Sequence, residues 1–169
     1  NVGGKITAKT SVPGIDAISE GILATSKNRI FVSIGGDDTN SGLSADDPVR
    51  TIKKAVQIAT DNFAETDKKT IYVSSGEYTE DIPIILPRFC AIVGDSLREV
   101  TVVPQNADQD LFHVAPGDLI SDMSFTGTMN HGKAIAAFDP DVIRYSGQSP
   151  YLLNCTNFVT NSIGMKIDG

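Results

Sequence analysis

The chain has 169 residues, of which 40% are hydrophobic and 21% charged, a composition that excludes wholesale disorder and suits one folded domain. Its net charge of −7 at pH 7, with lysines and arginines scattered along the chain, argues against nucleic acid as a partner, because phosphate binding needs clustered basic side chains. No apolar run approaches the ~20 residues that cross a bilayer, so membrane insertion is not expected.

Residues 1–28 contain Gly, Pro and Ser between short apolar runs, and we interpret them as a lead-in segment. The stretch RIFVSIGG at 29–36 predicts the first strand, because it is rich in β-branched and aromatic residues and ends in glycines. The chain begins at Asn1 and stops at Gly169 in mid-pattern. We therefore expect residues 29–169 to be the N-terminal part of a longer domain.

The one strong helical pattern follows an acidic loop at 35–47. Asp47 followed by Pro48 is typical of a helix start, since Asp caps the first turn and Pro lacks an amide hydrogen that would be unpaired there. The pattern predicts a helix at about 48–60. Its apolar side chains recur at helical spacing and form one face: Val49, Ile52, Ala55, Val56 and Ala59.

Beyond residue 69 the sequence predicts short strands separated by turns, with no helix between them. This pattern excludes a doubly wound α/β fold and indicates an all-β one. The predicted strands are 70–75, 89–94, 100–105, 111–115, 119–127, 133–139, 151–160 and 164–168.

Comparable apolar runs recur along this region at intervals of roughly 20–25 residues. The recurring positions are Ile71, Ala91, Leu111, Ile135 and Cys155. Such a period predicts a single-stranded β-solenoid, in which stacked turns of the chain share one core that no single turn could bury. An antiparallel sandwich is the alternative, because it also uses short strands and turns.

A solenoid has an open end, where core side chains and unpaired strand edges are exposed. An amphipathic helix just before the first regular turn would cover that end. We expect four side chains of its apolar face to be buried against the first turn: Val49, Ile52, Val56 and Ala59. Asp37 and Asp38 should then be solvated.

The stretch from 29 to 105 resembles the start of right-handed parallel β-helices of the pectin-lyase-like kind. In that family a strand and a Gly/Asp/Asn loop lead into Pro, a Thr-Ile helix and a strand ending in Gly-x-Tyr. Here the motif residues are Val32-Ser33, Gly35 to Gly42, Pro48, Thr51-Ile52, Ala55, Ile71 to Val73 and Gly76-Glu77-Tyr78. Ile92 to Asp95 match the next turn, as in pectin esterases. The resemblance implies the fold and no particular chemistry.

Residues 149–169 are similar to β-helical virion proteins of tailed bacteriophages, especially marine myoviruses. The shared motifs are Ser-Pro-Tyr, Asn-Cys-Thr and Gly-Met-Lys-x-Asp-Gly, in that order. This resemblance implies a structural component of the tail, baseplate or fibre region, assembled in the bacterial cytoplasm with other virion proteins. By analogy it also implies a homotrimer. It implies no cofactor.

The polysaccharide enzymes of the pectin-lyase-like family use acid and arginine motifs that are absent here in the required order. Asp139 and Asp141 form the best remaining carboxylate pair. Pro140 between them indicates a turn, where acids are usually only solvated. We therefore predict no enzymatic activity within this stretch, with a polysaccharide lyase or hydrolase as the alternative.

The acidic loop is also a candidate calcium site, with Asp37 and Asp38 as the candidate ligands. Counting from Asp37 as in an EF-hand places Gly42 correctly but puts Pro48 where a Glu should be. Turn chemistry, with Asx-turns and left-handed glycines, accounts for the loop without a metal. Cys90 and Cys155 lie in strand-like runs and are predicted to be buried free thiols.

Two functions of other classes remain as alternatives to a virion rod. A tailspike-like enzyme or binder of host-surface glycans would need paired acids and aromatic platforms on one solenoid face, or an active site late in or beyond this stretch. A bacterial surface adhesin is the third hypothesis.

Overall fold

The computed structural model describes residues 28–96, 98–128, 130, 133–137, 150–161 and 163–167. The predicted lead-in at 1–28, apart from its last residue, lies outside the described residues. The elements are β1 (Arg29–Val32), α1 (Ile52–Asn62), β2 (Lys69–Val73), β3 (Gly76–Glu80), β4 (Ile84–Ile85), β5 (Cys90–Gly94), β6 (Val100–Pro104), β7 (Phe112–Val114), β8 (Leu119–Ser121), β9 (Ser124–Thr128), β10 (Lys133–Ala137), β11 (Tyr151–Leu153), β12 (Thr156–Thr160) and β13 (Ile163–Ile167).

The strands form three sheets, which the chain visits in rotation. Sheet 1 has the order β1-β2-β5-β8-β11, sheet 2 the order β3-β6-β9-β12, and sheet 3 the order β4-β7-β10-β13. Every described strand pair is parallel. Over the described residues the all-β prediction with one helix is confirmed, and the antiparallel sandwich is wrong.

The register differs from the predicted recurrence. Ile71 pairs with Ile92, and Ile92 with Ile120. Ala91 instead pairs with Thr70, and Leu111 lies just before β7 in sheet 3. The expected alignment was wrong because turns of different length separate successive strands of a sheet, so no fixed period exists.

Several strand boundaries also differ from the prediction. The runs at 119–127 and 151–160 are each divided into two strands, at Asp122 and Asn154, whose φ angles are 58° and 52°. A left-handed residue turns the backbone sharply, so one apolar run serves two sheets. Strands β3 and β4 were not predicted.

An inward-facing column of side chains runs through sheet 1 and forms part of the core. Ile30, Ile71, Ile92 and Ile120 are all 0% exposed and lie in register on consecutive strands. Burial of one such side chain contributes about 1.5–3 kcal/mol. Cys90 is buried and Cys155 half-buried, and both are free thiols.

Helix α1 begins at Ile52, later than predicted, and its N-cap is Thr51, whose hydroxyl accepts a hydrogen bond from the Lys54 amide. The prediction of Asp47 as the cap was wrong. Val49 is extended and forms a parallel bridge with Val32, since its amide donates to the Phe31 carbonyl. This strand-like pairing holds the backbone before Arg50 out of the helical conformation.

The apolar face of α1 lies over the first strands of all three sheets: β1 and β2, β3, and β4. The predicted buried residues Val49, Ile52, Val56 and Ala59 are at most 5% exposed, and Ala55 and Ile58 are also buried. Helix α1 therefore covers one end of the core, as expected from its amphipathic pattern. No described helix is long and apolar enough to span a membrane.

Candidate functional site

The acidic loop before α1 is a set of turns held by its own carboxylates. One oxygen of Asp37 accepts the amide and the hydroxyl of Thr39, at 2.8 and 2.7 Å. Asp47 accepts the hydroxyl and the amide of Ser41, at 2.7 and 3.0 Å. These hydrogen bonds lower the pKa of both carboxyls below their usual range. Gly42 adopts a left-handed φ of 69°, as turn chemistry predicts.

Two other carboxylates bind the start of α1. Asp38 accepts the amides of Arg50 and Thr51, each at 2.9 Å, and the Thr51 hydroxyl at 2.8 Å. Glu80, from β3, accepts the amides of Ile52 and Lys53, at 2.7 and 3.1 Å. The prediction that Asp38 would simply be solvated was wrong. Four consecutive amides that would otherwise lack partners are thus satisfied.

The electrostatics of Glu80 reflect its position. Burial raises the pKa of Glu80 to about 6, against the opposing effect of its two amide donors, and the neighbouring Asp38 charge adds to the rise. The adjacent Lys53 ammonium pairs with Asp81 at the surface. Because both carboxylates accept backbone hydrogen bonds from the start of α1, this cluster anchors the helix to the acidic loop and to β3.

A second buried cluster lies where the strands of sheet 1 begin. Lys69 pairs in register with Cys90, and Asp118 accepts the Cys90 amide at 3.0 Å and the Ala115 amide at 2.6 Å. Burial raises the pKa of Asp118 to about 7, although both amides and the Lys69 charge oppose the rise. Burial also raises the pKa of the Cys90 thiol to about 12, so the thiolate is absent at neutral pH.

An aromatic pair lies on the outer face of sheet 1. The rings of Phe31 and Tyr72 stack with centroids 5.8 Å apart and planes at 21°, and the Arg29 guanidinium lies 5.9 Å from the Tyr72 ring centre. Tyr151 is exposed on the same sheet, whereas Tyr78 is buried and donates its hydroxyl to the Ser74 carbonyl.

The remaining predicted site residues are two pairs of aspartates. Asp139 and Asp141 lie outside the described residues. Asp37 and Asp38 bind different parts of the loop and helix, and the described residues contain no group of three or more His, Cys, Asp or Glu side chains arranged to hold a metal ion.

Sequence reasoning missed Glu80, Lys69 and Asp118. The alternation in GEYTE places Glu80 on the same face as Tyr78, and that in KTIYV places Lys69 with Ile71, so the first two were detectable. Asp118 follows a turn and carries no periodic signal.

Comparison with known families gives one match. The family described as a protein of unknown function (DUF1565) matches residues 34–133, which include the acidic loop, α1 and both buried clusters. The chain belongs to this family. DUF1565 is associated with parallel β-helix proteins. No curated protein and no solved structure matches the chain.

Proposed function

We propose that the three sheets are the faces of one right-handed parallel β-helix, a single-stranded solenoid of the pectin-lyase-like kind. The rotation of the chain through the sheets, the parallel pairing and the isoleucine column of sheet 1 support this architecture. In such a stack each turn of the chain supplies one strand to every face, so the turns share a continuous core.

From this architecture we infer a structural role, as a rigid, non-catalytic segment of a bacteriophage virion in the tail, baseplate or fibre region. The observation that supports a rigid structural role is the helix at one end of the core. Helix α1 lies over the first strands of all three sheets and is bound there by Asp38 and Glu80. The virion assignment is supported by the motifs at 149–169. Its partners would be other virion proteins and two further copies of the chain, and the protein would be assembled in the bacterial cytoplasm.

The virion role is tested by peptide mass spectrometry of phage particles purified from a lysate of the source, together with the genes beside the coding sequence. We expect peptides of this chain in the particle fraction and tail-assembly genes nearby. Absence from the particles, or a secretory signal on the full-length gene, would instead favour the surface adhesin.

Binding of host-surface glycans is the second candidate function, and the stacked Phe31–Tyr72 pair beside Arg29 favours it. The C–H groups on one face of a sugar ring pack on an exposed aromatic ring, which buries apolar surface of both partners. A glycan array probed with the wild-type chain and with Tyr72→Ala tests the idea, with Thr79→Ala on the outer face of sheet 2 as the control. Signals that Tyr72→Ala leaves unchanged would contradict it.

A further inference from the structure

Lys69 is an unusual buried cation. It is only 1% exposed and is among the largest fully buried side chains. Its ammonium donates to the Arg88 carbonyl at 3.2 Å and, more weakly, to the Glu65 carbonyl at 3.5 Å. Among the described residues, no carboxylate lies within 4.0 Å of it. Buried charges in proteins are normally paired, because neutral dipoles compensate only part of the lost hydration.

Arg88 is a second cationic residue beside Lys69, and one of its hydrogen-bond donors has no acceptor among the described residues. Its Nε is buried and has no hydrogen-bond partner among the described residues. The guanidinium lies 5.6 Å from the centre of the Phe89 ring, which holds the side chain close to the β4–β5 turn. A buried donor without an acceptor is costly, and native proteins rarely leave one unpaired.

Both side chains line one cavity of about 480 Å³ between the segment after α1 and the β4–β5 turn. The size falls within the range of small-molecule sites, about 300–1,000 Å³. Three apolar residues form part of its wall: Phe63, Leu86 and Pro87. Glu65 is the one acidic residue of the lining, and the buried Asp118 carboxyl lies near enough to Lys69 and Arg88 for both of their charges to oppose the rise of its pKa.

We propose that this cavity binds a small monocarboxylate with an apolar body. The carboxylate accepts hydrogen bonds from Lys69 Nζ and Arg88 Nε, and the apolar part lies against Phe63, Leu86 and Pro87. A carboxylate offers two acceptor oxygens, one for each donor, whereas a dianion such as phosphate would add a second negative charge near Glu65 and Asp118. Charge-assisted hydrogen bonds of this kind are about twice as strong as neutral ones. The site is independent of the virion role.

Benzoate is the probe for this site, followed by NMR of the ¹⁵N-labelled chain. We expect saturable shifts confined to the amides around Phe63, Lys69 and Arg88. Benzyl alcohol, which has the ring without the charge, and acetate, which has the charge without the ring, should each bind about tenfold more weakly or worse, a difference of about 1.4 kcal/mol.

Two substitutions and one control connect the binding to the cavity. Arg88→Gln and Lys69→Met should each weaken benzoate binding about tenfold or more, whereas Lys68→Met, at the exposed neighbouring position, should leave it unchanged. The dispersion of the spectra reports whether each variant is folded. If Lys69→Met fails to fold, the affinity of Arg88→Gln for benzoate and the comparison with benzyl alcohol decide whether the proposal holds.

Several results would overturn the proposal. These are the absence of saturable benzoate binding up to on the order of 10 mM, shifts that map away from the cavity, or an affinity that Arg88→Gln does not reduce. Equal weakening by Lys68→Met would also overturn it, because that result would indicate general surface attraction.

Discussion

The two edges of sheet 1 bury the same inward column to different extents. At the end covered by α1, Ile30 and Ile71 are fully buried. At the other end Leu152, which pairs with Ile120 in that column, is only half-buried. Two large apolar side chains of β13, the last described strand of sheet 3, are also partly exposed: Ile163 is 56% and Met165 47% exposed.

The difference shows what a helix adds that another strand does not. A further strand pairs the backbone of the one before it, yet its own side chains remain without a cover. Helix α1 buries its side chains over all three sheets and has its free amides satisfied by Asp38 and Glu80. The covered end is thus closed both by apolar contacts and by hydrogen bonds.

The largest expected effect comes from cavities made in the inward column. Ile92→Ala, deep in sheet 1, should lower the free energy of unfolding by about 2–5 kcal/mol, because the packed core collapses only partly around the lost atoms. Leu152→Ala, on the last described strand of the same column, should cost about 1 kcal/mol or less, because Leu152 is only half-buried. Urea denaturation of both variants measures the change in the free energy of unfolding. Equal decreases for Ile92→Ala and Leu152→Ala would contradict the difference between the two edges of the sheet.

Removal of the buried carboxylate at the covered end should have the next largest effect. Glu80→Ala leaves the Ile52 and Lys53 amides without acceptors, which should cost about 1–3 kcal/mol and speed hydrogen exchange in the first turn of α1. Glu77→Ala, exposed on the same strand, should stay within about 0.5 kcal/mol of wild type. Unchanged exchange in α1 would show that Glu80 does not hold the helix.

The raised pKa values of Glu80 and Asp118 predict that the stability of the fold depends on pH. Because the folded-state pKa values of Glu80 and Asp118, about 6 and about 7, exceed their ordinary values of 4.5 and 3.8, the folded state binds more protons. Their stabilising contribution is therefore full below those ordinary values and is lost as pH rises through 6 and 7. The slope should reach about 1.4 kcal/mol per pH unit for each proton.

Thermal or urea unfolding between pH 5 and pH 8 measures this slope. Asp118→Asn should flatten the part near pH 7, whereas Asp61→Asn, at an exposed position of α1, should leave the profile unchanged. A profile that Asp118→Asn does not alter would mean that Asp118 ionises normally in the folded state.

The smallest predicted difference separates two adjacent aspartates. Asp38→Ala removes the acceptor of the Arg50 and Thr51 amides and should cost about 1 kcal/mol, as losses of helix caps do. Asp37→Ala, which loses only an exposed turn, should cost about 0.5 kcal/mol or less. Differential scanning calorimetry of the pair resolves this, and a larger loss for Asp37→Ala would reverse our assignment of their roles.

The apolar face of α1 was predictable from sequence, because helical spacing alone puts Ile52, Val56 and Ala59 on one side. The start of the helix was not, since the Asp47-Pro48 signal competes with the pairing of Val49 to Val32. That pairing joins residues in different parts of the chain, and the acceptor that satisfies the Ile52 amide comes from β3. A local pattern contains neither partner.

The sequence by itself determined the all-β character, the single amphipathic helix, its role as a cover and the turn chemistry around Gly42. These depend on periods of two and 3.6 residues and on left-handed backbone, which neighbouring residues specify. Only the tertiary structure decided which strands pair and which charges meet. Lys69, Cys90 and Asp118 come together because connections of unequal length bring the starts of β2, β5 and β8 into register, and that register depends on the packing of the three sheets.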